Sequence, residues 1–274
     1  MDAAAGRERG RPGDWEAARY HQVARPHAGW GLGVLDRARL AGDERVLDAG
    51  CGSGRVTAQL LERLPTGHVV AADVSPAMLE QARATLAPYA DRVTFVQADL
   101  TQIDRVLTEP VEVVFSTAVF HWINDHPALF RALFTVLAPG GRLIAQCGGG
   151  PNLARFMQVT DAVAARPPYQ PILAGHQLWR FYAGPEETEQ RLRAAGFTDA
   201  TAWLEPSPQT FASAAELASY GRAVVLTNHV ASLPAELQDA FVAAVTDEIV
   251  RREGAPTLDY VRLNLEARRD GPEH

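Results

Sequence analysis

"VLDAGCGSGRVTAQL", residues 46–60, sets three glycines within five positions just behind an aspartate, between a strand-like run and a helix-like one. Val46 and Leu47 suit a buried strand, and Val56, Leu60 and Leu64 recur on one face of the helix that follows. A glycine turn at such a junction brings backbone N–H groups close to a ligand at the helix start. A dinucleotide turn has the spacing G-x-G-x-x-G, its third glycine allowing close packing of helix on strand. Gly50 and Gly52 fit that spacing, but Arg55 stands in the third place and the remaining glycine is Gly54.

Outward from the turn, apolar runs alternate with amphipathic ones. "HVVAADV" (68–74), "RVTFVQADL" (92–100), "VEVVFSTAVF" (111–120) and "GRLIAQC" (141–147) read as strands, and "HPALFRALFTVL" (126–137) as a helix. "SPAMLEQARATL" (75–86) is a helix with Ser75 as N-cap, Pro76 at its first position, and Met78, Ala82 and Leu86 in a stripe. Strands separated by helices of this length imply βαβ units and a parallel sheet covered on both faces. Beyond Gly150 come a proline- and aromatic-rich stretch, a helix closed by Gly196, and a sixth strand, "TDATAWLEP" (198–206). "SAAE" (213–216) is a capping box, and Leu237, Phe241, Val245 and Ile249 mark a long helix up to Gly254. "LDYVRLNLEA" (258–267) alternates as a half-exposed last strand does. The expected fold is α/β, a doubly wound, Rossmann-like, mostly parallel seven-stranded sheet with helices on both faces. Residues 1–13 are expected to be a disordered tail, 14–212 and 255–274 the core, and 213–254 a helical cap insertion.

Composition narrows the chemistry. All 26 basic residues are arginine, which fits a GC-rich bacterial genome and excludes Schiff-base chemistry on a lysine. A net charge of -7 argues against a nucleic-acid surface. The two cysteines, Cys51 and Cys147, are too few for a disulfide framework and read as buried thiols; no metal site is expected. No signal peptide and no membrane-length apolar run stand out, so a cytoplasmic location is expected, with neither membrane nor nucleic acid as partner.

Asp48 decides what the turn holds. A pyrophosphate there would meet a carboxylate, whereas a ligand with an ammonium and a sulfonium would be attracted. Asp73 closes the second strand, where it can accept from both ribose hydroxyls, each bond contributing on the order of 1.5–3 kcal/mol. Asp99 closes the third, where it can accept from an adenine amino group. The ligand that fits is S-adenosylmethionine, which leaves as S-adenosylhomocysteine.

"VLDAGCGSG", "VVAADVSPAML", "FVQADL", "VFSTAVFHWI" and "LAPGGRL" resemble, in order, the motifs of the class I, seven-stranded S-adenosylmethionine-dependent methyltransferases. "DWEAARYHQVARPHAGWG", "FHWINDHPALF" and "FYAGPEETEQRLRAAGF" resemble the trans-aconitate methyltransferase-like group. The resemblance implies that Asp48, Gly50 and Gly52 hold the amino-acid end, Asp73 and Val74 the ribose, and Ala98, Asp99 and Leu100 the adenine. It places Ser116 and Thr117 toward the methyl-bearing sulfur, and closes an N-terminal helix with Tyr20 and Arg25 over the methionine moiety. Cys51 and Met78 belong with these lining residues, Cys51 for packing alone.

Methyl transfer is an in-line displacement that needs the acceptor lone pair about 3–3.5 Å from the methyl carbon. An acceptor that is already an anion needs no general base. The fourth strand lacks the proline-proline-aromatic signature of amino-methylating DNA enzymes, and His121 is the only base candidate within a motif. His121 is also read as a histidine satisfied by a neighbouring backbone carbonyl; Trp122 either packs or lines the methyl channel. Arg25, Arg155, Arg180 and Arg222 are candidates to clamp a substrate carboxylate. The cluster "HQLWRFY" (176–182), with Trp179 and Tyr182, and Tyr220 in the cap either line the acceptor pocket or pack. A small carboxylic acid converted to a methyl ester is the expected acceptor. C- or O-methylation of a polyketide or isoprenoid, and a cofactor-binding sensor or assembly protein without turnover, stay open beside it.

Overall fold

The computed structural model describes residues 25–174 and 180–271. The expected tail, Tyr20 and Trp179 lie outside the described residues, and so does the side chain of Arg25. Strand β1 (Arg45–Ala49) lies in the interior of the sheet. Around it lie β2 (His68–Asp73), β3 (Val93–Gln97), β4 (Val111–Thr117), β5 (Leu137–Gly148), β6 (Thr198–Pro206) and a late strand, Val261–Arg268. Two short strands, β7 (Gln209–Thr210) and β8 (Thr257–Leu258), pair with each other, making the late strand β9. The seven-stranded order is β3-β2-β1-β4-β5-β9-β6, with β1 to β5 parallel and β9 antiparallel to both its neighbours. The order reverses between β1 and β4, so the crevice beyond their carboxyl ends is the switch point at which ligands of such sheets bind.

Alternation within each strand assigns its side chains to two cores. Leu47, Ala49, Val70, Ala72 and Val114 pack with α4 (His126–Val136) and α7 (Pro185–Ala194) on one face. Val46, Val69, Ala71, Val113 and Phe115 pack on the other with α1 (Arg25–Ala38), α2 (Arg55–Glu62) and α3 (Pro76–Thr85). Each fully buried valine or leucine contributes roughly 1.5–3 kcal/mol, which is why these strands carry near-continuous apolar runs.

Two elements differ from the expectation. β5 starts before residue 141, because Leu137 already pairs with Val111 and a register shift absorbs "APGG". β9 is not half-exposed: Arg262, Leu263, Asn264 and Leu265 are all buried, and β6 is the outer strand. The polar positions of β9 face a network in which Asn264 accepts from Gln146 at 2.7 Å and from Arg37 of α1 at 2.7 Å.

Between β6 and β9 stand α8 (Ala214–Tyr220), α9 (Thr227–Ser232) and α10 (Ala235–Glu253). Half of the expected capping box forms, Ser213 accepting from Glu216 N–H, while the Glu216 carboxylate accepts from the N–H of Ala212, one residue before the cap. These helices share an apolar core with α5 (Ala154–Ala164) and α6 (Gln170–Leu173), through Phe156, Val159, Leu173, Leu217, Phe241 and Val245. A π turn, Gly221–Val225, joins α8 to α9.

Candidate active site

The glycine turn is stitched to β2. Gly50 and Cys51 donate to the Ala72 carbonyl at 2.8 and 2.9 Å. Gly50 has φ 89°, and a Cβ there would lie 2.3 Å from Val119, so any side chain would force the post-β4 turn away. Gly52 donates to Asp73 Oδ2 at 2.9 Å, and the space its Cβ would enter is open. The other Asp73 oxygen accepts from Ser75 N–H at 2.9 Å, and Ser75 caps α3 by accepting from Met78 N–H. One carboxylate thus orders the turn, the end of β2 and the start of α3. Val74, beside it, is 62% exposed, which is unusual for a valine at a strand end and leaves an apolar surface facing outward.

Asp48 is buried and accepts from the Thr57 hydroxyl at 2.6 Å. Burial pushes its carboxyl up to about 7 against that hydrogen bond, with the Asp73 charge adding to the rise. Burial also raises Asp73, against the N–H groups of Ser75, Gly52 and Val74. The Cys51 thiol is driven well up by burial and by both aspartates, so it is no nucleophile. Asp99 caps the turn Leu100–Arg105, accepting from Thr101 N–H and Oγ1 through Oδ1, with Ala98 and Leu100 buried on either side. Of the β4 pair, Thr117 is half-buried. Ser116 is buried and donates to the Ala49 carbonyl at 2.6 Å, a placement that commits its hydroxyl to β1 instead of the crevice.

The second half of the crevice grows from the turn Phe120–Trp122. His121 is buried, and its Nδ1 accepts from Gly148 N–H at 3.2 Å, which puts the ring proton of the neutral imidazole on Nε2. Phe181 N–H donates to the His121 carbonyl at 2.8 Å and lays residues 180–182 along this turn. The Tyr182 ring closes on Gly148, where a Cβ would come within 2.9 Å of it; that close approach is one reason for the glycine run at 148–150. Arg180 stacks on Trp122 at 4.5 Å and donates to the Val224 carbonyl of the π turn at 2.8 Å. It keeps partial accessibility although it lies deep in the molecule, as a side chain lining a crevice does. Burial opposes its charge, but Tyr182, Tyr260 and Tyr220 around it hold its pKa above the ordinary value. Tyr220 and Tyr260 share a hydrogen bond of 2.8 Å.

Sequence reasoning missed two members of this half. Arg262 of β9 is 3% exposed and stacks on Trp30 of α1 at 4.2 Å. Trp30 in turn donates to Ser207 at 2.8 Å. Other expected residues are placed elsewhere. Arg155 is exposed and paired with Glu253 and Asp259, and Arg222 is paired with Asp239, so neither guanidinium is available as a clamp. Met78 is buried in α3.

A family model described as a methyltransferase domain matches residues 46–141. Trans-aconitate 2-methyltransferase from Methylobacterium nodulans is 32% identical over 263 residues, spanning 93% of this chain and 98% of that one. The chain belongs to the class I S-adenosylmethionine-dependent methyltransferases, in the trans-aconitate 2-methyltransferase group. A second relative of that name, from Acidovorax sp. strain JS42, is 28% identical over 261 residues with the same spans. Haemonchus contortus phosphoethanolamine N-methyltransferase 2, solved with S-adenosyl-L-methionine, shares the fold of the methyltransferase at a TM-score of 0.58. It is 19% identical, over 93% of this chain and 56% of that one. The YcgJ protein of Bacillus subtilis gives 0.60 at 16% identity, over 88% and 99%.

S-adenosylmethionine is the cofactor of this enzyme, and the acidic half of the crevice fits it. Asp73 sits close enough to Asp48 to add to the cost of its charge, and the turn leaves open space at Gly52. That combination favours a cation and repels a phosphate. Among the described residues no helix is long and apolar enough to cross a membrane.

Proposed function

We propose that the methyltransferase acts on a carboxylate oxygen of a small organic acid and releases its methyl ester. The observation that carries this reading is Arg180, a guanidinium deep beside the post-β4 turn that makes no ion pair with any described acid. A planar guanidinium binds a carboxylate bidentately with its several donors, and Arg180, held among phenols, a backbone carbonyl and an indole, has no described carboxylate to take them up. The relatives named for trans-aconitate support the reading, since their named substrate is a carboxylate.

Bound S-adenosylmethionine supplies a methyl group on a positively charged sulfur; transfer to a carboxylate oxygen breaks the C–S bond and leaves two less charged products. Asp73 and Asp99 hold the nucleoside end, and Asp48 stands behind the turn as an anion facing the amino-acid end. Arg180 orients the acid, and Thr117 and Trp122 wall the path between the two ligands. No proton has to move. His121 suits a hydrogen-bond donor better than a base, because its Nδ1 lone pair is already used by Gly148. This weighs against C- or O-methylation of an unionised natural product, which would need a base.

Incubation with methyl-labelled cofactor and a panel of carboxylic acids, phenols and prenyl compounds tests the proposal. Label that mild base releases from the carboxylic acid products supports it. Turnover confined to phenols or prenyl carbons, with label that resists base, refutes it.

A further inference from the structure

Arg262 is a second guanidinium in the same half of the crevice, and no described acid pairs with it. Its Nε reaches Gln146 Oε1 only at 3.4 Å, and its buried Nη2 has no hydrogen-bond partner. Glu205, directly opposite across the β6–β9 pair, accepts from Asn264 at 3.1 Å and makes no ion pair with Arg262. The groups that bear on its charge are a thiol and three phenols, Cys147, Tyr260, Tyr182 and Tyr220. The same three tyrosines bear on Arg180. Arg262 stands beside Gly148 in the β5–β9 register, so it is at the carboxyl end of the sheet, two strands from β4 and roughly 10 Å away at the usual strand spacing. A structural arginine this deep is ordinarily answered by a carboxylate; one stacked on Trp30 with a nitrogen unfilled is built to receive an anion from outside.

We propose that Arg262 is a specificity-determining residue that binds a second anionic group of the acceptor, several carbons from the carboxylate that Arg180 presents for methylation. The proposal rests on the carboxylate reading above. It makes a dicarboxylate the better acceptor, because its two charges answer both guanidinium groups, whereas a monocarboxylate leaves one buried and unanswered.

The test compares wild type with R262Q and R262K on matched acids, butanoate against butanedioate and hexanoate against hexanedioate. KM and kcat are read for each. Binding of the diacids is read by calorimetry with S-adenosylhomocysteine present, and thermal midpoints are recorded. One charge-assisted contact corresponds to roughly 10- to 150-fold in affinity. R262Q is expected to raise KM for the diacids about 30-fold or more while leaving monoacid KM, kcat and cofactor affinity within about threefold, with R262K recovering part of the loss. The thermal midpoint of R262Q should hold or rise by a few degrees, since an unanswered buried charge has been removed. Equal losses on mono- and diacids, or a fall of the R262Q midpoint by about 8 °C or more, would overturn the proposal and make Arg262 structural. If wild type methylates no acid but binds the diacids in an Arg262-dependent way, the ester reading fails and the anion site stands. If acids are methylated with no dependence on Arg262, the anion site fails and the ester reading stands.

Discussion

Residues 48–100 build one half of the crevice, and the charged groups they bring to it are aspartates fixed by backbone N–H groups and a threonine. Residues 180–262, with Trp30 and the Phe120–Trp122 turn, build the other, and its charges are guanidinium groups set among aromatic rings. On the proposed reading the halves differ in sign because their ligands do: one receives a sulfonium, the other an organic anion. They also differ in construction. The acidic half comes from consecutive strand ends within one stretch of sequence, so its geometry follows from the sheet alone. The basic half comes from a late antiparallel strand, the π turn between α8 and α9 and the segment ahead of α7, and it exists only once distant segments have met. A reaction that cancels a positive and a negative charge is favoured in a site that keeps both out of water until they meet.

Substitutions that test this division can be ranked by expected effect. Gly50→Val should have the largest, lowering cofactor affinity about 100-fold or more by calorimetry, since a side chain there collides with Val119 and the positive φ is strained. An unchanged affinity would mean the turn is not the cofactor seat. Arg180→Met should raise the acceptor KM roughly 30-fold with cofactor affinity unchanged. Loss of cofactor binding in that variant would erase the boundary between the halves.

Asp73→Ala is expected to weaken cofactor binding at least about tenfold, because the ribose acceptor and the Gly52 and Ser75 anchors are lost together. A pH-dependent effect should come from Asp48, whose carboxyl stands near 7 in the folded protein, far above its ordinary value. The folded apoprotein therefore holds a proton that the unfolded chain releases, and its stability should fall as pH rises from about 4 to 7. Cofactor binding favours the ionised form, so affinity should rise with pH up to about 7, approaching tenfold per unit below it, with proton uptake by the buffer. Asp48→Asn should flatten both profiles; a pH-independent wild type would remove Asp48 from the electrostatics of cofactor binding. Smallest of all, Arg155→Ala should change turnover by less than about twofold, as expected of an exposed ion pair.

The same division explains which parts of the molecule are legible in its sequence. β1 to β4, the Ser75 cap and the glycine turn are local patterns, and the three aspartates fall within two residues of successive strand ends, so all of them are visible there. β9 is not, because alternation reports which positions are polar and not whether another element covers them. Arg262 and Asn264 occupy the outward phase of "LDYVRLNLEA", and α1 and β6 then bury them. Arg155 and Arg180 are alike as letters; only tertiary contacts give one two acids and the other a crevice. The unusual signal that is present is an arginine and an asparagine in one short apolar strand directly after Tyr260.

The most direct measurement is a crystal structure of the ternary complex with S-adenosylhomocysteine and a dicarboxylate. Ribose hydroxyls on Asp73, adenine beside Asp99 and a carboxylate on the Arg180 guanidinium are the predicted contacts. A nucleoside seated away from Asp73, or an acid bound outside the Arg180 side of the crevice, would contradict the division of charge on which the mechanism depends.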